Sequence, residues 1–153
     1  MSARQRIQKG FTLVEILIVV VILGILAAIV IPQFTNASET AKASSLTSQL
    51  QSIRSQLELF QVQHNGKYPA ADTLWDQLTK KTNMDGDVDE DGTFGPYLKK
   101  APVNPFTNGS AVGTDWDYNE ETGEIRAILP DGIDYATLGI PANDVKGEEE
   151  DEV

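Results

Sequence analysis

Residues 10–32 read GFTLVEILIVVVILGILAAIVIP, an apolar run that carries a single charge, Glu15. As a helix, Phe11 to Ile31 would span about 31 Å at ~1.5 Å per residue. That matches the hydrocarbon core of a bilayer, about 30 Å thick. A secretory signal peptide needs an apolar core of only about 7–15 residues, so this segment reads as a retained transmembrane helix. The stretch ahead of it, MSARQRIQK, is basic and holds no acid. Positive flanks stay cytoplasmic, which sends the rest of the chain outward. Glu15 is the anomaly. An isolated carboxylate at membrane depth costs a few kcal/mol and requires a partner or a function.

Working outward, the formal charge of −11 hides an asymmetry. Arg4, Arg6 and Lys9 put +3 ahead of the run and Glu15 adds −1, so residues 16–153 carry −13. An acidic exposed part argues against nucleic acid or anionic lipid as its partner. With no cysteine, the chain has neither a disulfide framework nor a thiolate metal site. Its 153 residues leave room for one modest domain beyond the apolar run.

The text from Gln33 to His64 continues as helix. Leu46, Leu50, Ile53, Leu57 and Phe60 step by four and three residues, forming one apolar stripe. Leu59 and Val62 widen it, and at about two heptads it is short for a coiled-coil seam. Packing against the protein's own sheet is therefore expected. Asn65-Gly66 supplies a C-cap, with Pro69 beyond it. Asp72-Thr73 is expected to cap a short helix through Leu78, with Leu74, Trp75 and Leu78 facing the core. GPYLKKAPVNPFTNG reads as an ordered loop. In DWDYNEETGEIRAILP, Trp116 and Tyr118 alternate with acids, Glu120 to Gly123 turn, and Ile125, Ala127 and Leu129 alternate again, which is a hairpin. The run GEEEDEV is like-charged and reads as disordered.

Lys9-Gly10-Phe11-Thr12-Leu13-Val14-Glu15 resembles the prepilin processing site of type IV pilins and type II secretion pseudopilins. The resemblance implies cleavage by a prepilin peptidase between Gly10 and Phe11 and N-methylation of Phe11. It also implies that Glu15 pairs with the amino terminus of a neighbouring subunit, so that a charge costly alone is neutralised on assembly. Pro32 removes a helical hydrogen bond to Ala28 and Gly24 lowers helix propensity. In filaments of this family the segment between such positions melts, making Gly24 and Pro32 the expected helix break. NGKYP, GPYLKKAPVNPF and TGEI resemble the major pseudopilins, the general secretion pathway protein G type.

The expected architecture is α+β and type IV pilin-like, a long N-terminal helix packed on a small antiparallel sheet. Its parts are a leader over 1–10, a transmembrane and filament-core helix over 11–31 and an amphipathic continuation over 32–64. A globular head over 65–147 and an acidic tail over 148–153 follow. The partners implied are identical subunits in a helical filament, the prepilin peptidase, minor pseudopilins, the inner-membrane assembly platform and membrane lipid, with no nucleic acid. The location implied is the inner membrane, single-pass, with the head in the periplasm. A surface type IV pilin, for adhesion, motility or DNA uptake, uses the same N-terminus and stays open as an alternative, as does a membrane-anchored binding module that never polymerises.

Asp87-x-Asp89-x-Asp91-Gly92 is the first half of an EF-hand loop, but Leu98 stands where the bidentate glutamate belongs. A simpler calcium loop using Asp85, Asp87, Asp89 and Asp91 remains, beside the alternative of a solvated acidic turn. Major pseudopilins bind calcium in a C-terminal loop, whereas this acidic loop lies earlier. Asp115, Asp117, Asn119 and Glu121 also alternate, as the exposed face of a strand would. For catalysis there is one histidine, His64, at a helix end that favours a cation anyway. No nucleophile motif or phosphate loop occurs, so the expectation is a substrate of an enzyme and not an enzyme.

Overall fold

A computed structural model describes residues 10–146, apart from the side chains of residues 32 and 34–36. The leader residues 1–9 and the acidic tail 148–153 lie outside the described residues. Helix α1, Leu13–Gln63, runs for 51 residues and contributes to two compact units, one through Ser38 and one from Glu39 onward.

In the first unit, Leu13–Ile31 is long and apolar enough to cross a membrane, with mean hydropathy 3.3 and none of it buried. Apart from Glu15 the stretch is apolar on every side, so it presents no polar face to water. Helix is maintained through Gly24 and Pro32. The break expected there concerns the filament, and the isolated chain keeps the turn despite the proline.

The second unit forms around the stripe of α1. Leu46, Leu50, Ile53, Leu57 and Phe60 are all buried, joined by Ala43 one turn earlier. Leu59 and Val62 do not widen the stripe: they are 44% and 79% exposed. At ~100° per residue Leu59 lies about 160° from Leu57 and about 100° from Phe60, and Val62 about 140° and 160°, so both point away from the stripe. The helix ends as expected. Asn65 and Gly66 take positive φ, and the Gly66 amide donates to Gln61 O (2.9 Å), closing the last turn.

Helix α2, Leu74–Thr79, buries Leu74 and Leu78, with Trp75 half-buried against the core. Thr73 is its N-cap residue but its side chain caps no backbone N–H. The hydroxyl donates instead to Gln77 Oε1 (3.1 Å). Strands β1, Trp116–Tyr118, and β2, Ile125–Ala127, pair antiparallel with Trp116 opposite Ala127 and Tyr118 opposite Ile125. Trp116, Ile125 and Ala127 join the helix stripe in one core. A 3₁₀ turn, Ala142–Asp144, then sets Val145 beside Ala127 through a single parallel bridge. The order of long helix, short helix and antiparallel hairpin is the α+β architecture expected.

Two polar residues hold the ordered loops. Asn104 is fully buried and donates through Nδ2 to Asp115 O (2.8 Å) and Ile128 O (2.9 Å), while its Oδ1 accepts from the Phe106 amide (2.9 Å). Arg54 reaches from α1 to Asp144 Oδ1 (2.6 Å), Ile125 O (2.8 Å) and Asn143 O (3.1 Å). One guanidinium thus fastens the hairpin and the 3₁₀ turn to the helix.

Candidate functional site: the N-terminal junction and the head loops

The junction is exposed. Phe11 is 82% accessible and precedes α1. A side chain at position 10 would meet nothing within 4 Å, so packing does not demand glycine there. The same holds for Gly24.

Glu15 has a local partner that the sequence reading missed. Its Oε2 accepts from the Thr12 amide (2.8 Å) and from Thr12 Oγ1 (2.7 Å), while Thr12 Oγ1 accepts from the Glu15 amide (3.2 Å). Thr12-x-x-Glu15 is a capping box, in which each residue's side chain satisfies the other's orphan N–H at the helix start. The signal was present as a threonine three residues before a glutamate at the head of an apolar run. The bonds hold the carboxylate at the first turn of α1.

The acidic loop hangs from one residue. Thr82 bridges to both Val88 and Phe94, and its amide and carbonyl exchange bonds with Phe94 (3.0 and 3.1 Å). Between these points Asn83 Oδ1 accepts from the Asp85 and Asp87 amides (3.0 Å each), and Asp89 Oδ1 accepts from the Asp91 amide (2.9 Å). Asp85, Asp87, Asp89 and Asp91 are all exposed. Among the described residues no three acid or histidine side chains converge as a metal would require.

The alternation at the hairpin does not make one exposed face. Asp115 is 6% exposed and lies before β1, accepting from the Ala111 amide (2.7 Å). Asp117 pairs with Arg126 (2.9 Å), and Asn119 Oδ1 caps the turn by accepting from Glu121 and Thr122 (2.9 and 3.1 Å). His64 is not a solvated helix-end cation either. It is buried and stacked on Phe60 (3.8 Å), with Nδ1 on Phe60 O (2.8 Å) and Nε2 on Thr82 Oγ1 (3.0 Å). A carbonyl can only accept, so Nδ1 donates to Phe60 O. His64 ties the acidic loop to α1 and faces no reactive partner.

Comparison with known proteins completes the description. Residues 5–31 match the prokaryotic N-terminal methylation motif, and residues 33–122 match the family model described as type II secretion system, protein G. A type II secretion system core protein G from Pseudomonas aeruginosa is 38% identical over 108 residues, covering 69% of this chain and 72% of that protein. Proteins of the same name from Vibrio cholerae and Aeromonas hydrophila are 34% and 32% identical, each over 69% of this chain and over 70% and 72% of their own. No solved structure matches the chain. The methylation motif and the head occur here in one chain, in that order, and the chain belongs to the type II secretion system protein G family.

Proposed function

We propose that this chain is a structural subunit of a pseudopilus, the filament that drives type II protein secretion, and not of a surface type IV pilus. The observation that carries the reading is the protein G family match across the head, joined to a methylation motif across the N-terminus. The family is structural, and no catalytic role is proposed for this member.

Prepilin peptidase cleaves after Gly10, and Phe11 is N-methylated. The exposed junction and a glycine that packing does not require both support recognition of that position by an enzyme. The apolar span anchors the subunit in the inner membrane with its acidic head in the periplasm. On assembly, Glu15 exchanges its Thr12 bonds for the amine of a neighbouring subunit. That exchange replaces neutral donors by a charged one, and charge-assisted hydrogen bonds are roughly twice as strong. Gly24 and Pro32 let the intervening turns melt as subunits pack. The minor pseudopilins and the inner-membrane assembly platform are the remaining partners.

Calcium at Asp85, Asp87, Asp89 and Asp91 would have to draw together carboxylates that the fold leaves apart. We keep it as a separate proposal. Its support is aspartate repulsion that a cation would offset, and its test is a melting scan. Calcium should raise the midpoint more than magnesium, and Asp87→Ala with Asp91→Ala should cancel the difference. An unmoved wild-type midpoint refutes the site.

Intact mass and N-terminal sequencing of membrane-extracted protein test the main reading. The expected result is a chain starting at N-methylated Phe11. A start at Met1, or a soluble product cut near Ala27–Ala28, would overturn it.

A further inference from the structure

A groove of about 460 Å³ runs along the head between α1 and the loop 98–103, bounded by Ser45, Gln49, Ser52, Leu98, Lys100 and Val103. Two features mark it as unfinished. Gln49 Oε1 is buried and has no hydrogen-bond partner, a state that costs free energy until a donor arrives. Val103, at 44% exposure, leaves apolar surface open at the rim. Lys100 lines it and Lys99 precedes Lys100 in the chain; both are exposed and have no ion pair among the described residues. The groove therefore suits an extended peptide that offers a backbone N–H to Gln49 and carboxylates to the two lysines.

We propose that its occupant is the acidic run of residues 148–153 from a second copy of this chain. That run holds Glu148, Glu149, Glu150, Asp151 and Glu152, a like-charge block of the kind that often serves as an interaction tail. The geometry of α1 separates donor from acceptor. Asp144 is fixed on Arg54, and the Lys146 amide on Ala127 O (2.9 Å), so the last described residues before the acidic run are held on that flank. Ser45, Gln49 and Ser52 lie roughly 140–180° around the helix from Arg54, at 100° per residue. Complementary surfaces on opposite flanks of one molecule give a heterologous contact. Repeated without closure, such contacts build an open filament. The contact would also set each copy's densest negative charge against Lys99 and Lys100, countering repulsion between strongly acidic heads.

The proposal rests on the filament reading for its biological setting, but its test does not need filaments. A peptide of residues 146–153 is titrated onto detergent-solubilised mature protein lacking residues 148–153. Binding should be saturable, weaken with salt, and fall about tenfold or more in Lys99→Glu/Lys100→Glu, where attraction becomes repulsion. A peptide of reversed sequence should bind less, because Gln49 and Val103 read more than charge. No binding, or equal binding of the reversed peptide, overturns the proposal.

The chain has no cysteine, so a second arm is clean. Differently tagged copies carrying Val103→Cys and Glu150→Cys should form a mixed disulfide in membranes. Val62→Cys, exposed but away from the groove, should not. Filaments that assemble without the mixed disulfide would sink this contact and leave the pseudopilus reading standing. Peptide binding without filaments would do the reverse.

Discussion

Replacing Arg54 by alanine should destabilise the head more than any other single surface-reaching change on α1. The guanidinium is 30% exposed, but its partner Asp144 is only 4% exposed in its side chain. Truncation therefore strands a buried carboxylate and two carbonyls, Ile125 O and Asn143 O, that now receive its N–H groups. Breaking a buried ion pair from one side costs about 3–5 kcal/mol. Discounting for the partial exposure of Arg54 leaves roughly 2–3 kcal/mol. In a head of this size that should lower the melting midpoint by about 10 °C or more. Arg54→Lys keeps the charge but loses the fork that spans three acceptors, and should recover only part of the loss. Arg54→Met with Asp144→Leu removes both charges and should melt closer to wild type than Arg54→Ala alone. Thermal unfolding of the four proteins, followed by near-ultraviolet circular dichroism on Trp116 and Trp75, reads the comparison. If Arg54→Ala melts within about 0.5 kcal/mol of wild type, a value ordinary for surface sites, the brace carries no weight and the reasoning fails.

Asn104→Ala should cost about 2–3 kcal/mol, since it leaves Ile128 O and the Phe106 amide without their partner and strips Asp115 O of one of its two donors, the other being the Ile128 amide (3.0 Å). Asn104→Asp should rescue little, because it cannot donate to Asp115 O and Ile128 O; a midpoint near wild type would refute this. Burial, with Glu120 and Tyr68 nearby, holds the Tyr118 phenol above the usual tyrosine range. A group whose folded pKa is raised adds stability that is complete below its unfolded value, near pH 10, and is lost as pH climbs beyond it. Phenolate absorbance should therefore show Tyr118 ionising late and with unfolding, and Tyr118→Phe should remove that step. Ionisation of every tyrosine near pH 10 in a folded head would contradict it. Gly123→Ala should destabilise the hairpin turn, because φ is +72° and a Cβ would run into the Tyr68 ring. A stability equal to wild type would mean that Tyr68 is not fixed there.

What periodicity could carry, the sequence carried well. The stripe from Leu46 to Phe60, the Asn65-Gly66 cap and the Trp116–Ala127 hairpin are all local patterns, and each is found. Leu59 and Val62 misled because apolar character was read without their angle on the helix. Asp115 misled because alternation does not reveal where a strand begins. The close approach of Gly109, where a Cβ would crowd the Asp115 carboxylate, is equally invisible in the sequence. The Thr12–Glu15 capping box is legible as a threonine three residues ahead of a glutamate at a helix start. The Arg54–Asp144 brace spans 90 positions and leaves no local trace. The groove at Gln49 is equally silent, because a serine- and glutamine-rich helix face looks like ordinary solvated surface until the loop 98–103 is laid beside it.

The central claim concerns secretion, and one measurement addresses it: the fraction of exported protein released by cells whose only copy of this chain carries Glu15→Leu. The substitution removes the membrane cost of a charge, a few kcal/mol, and with it the proposed partner for a neighbouring amine. The variant should therefore reach the membrane at wild-type level while the exported proteins stay inside the cell envelope. Undiminished release from those cells would contradict the account.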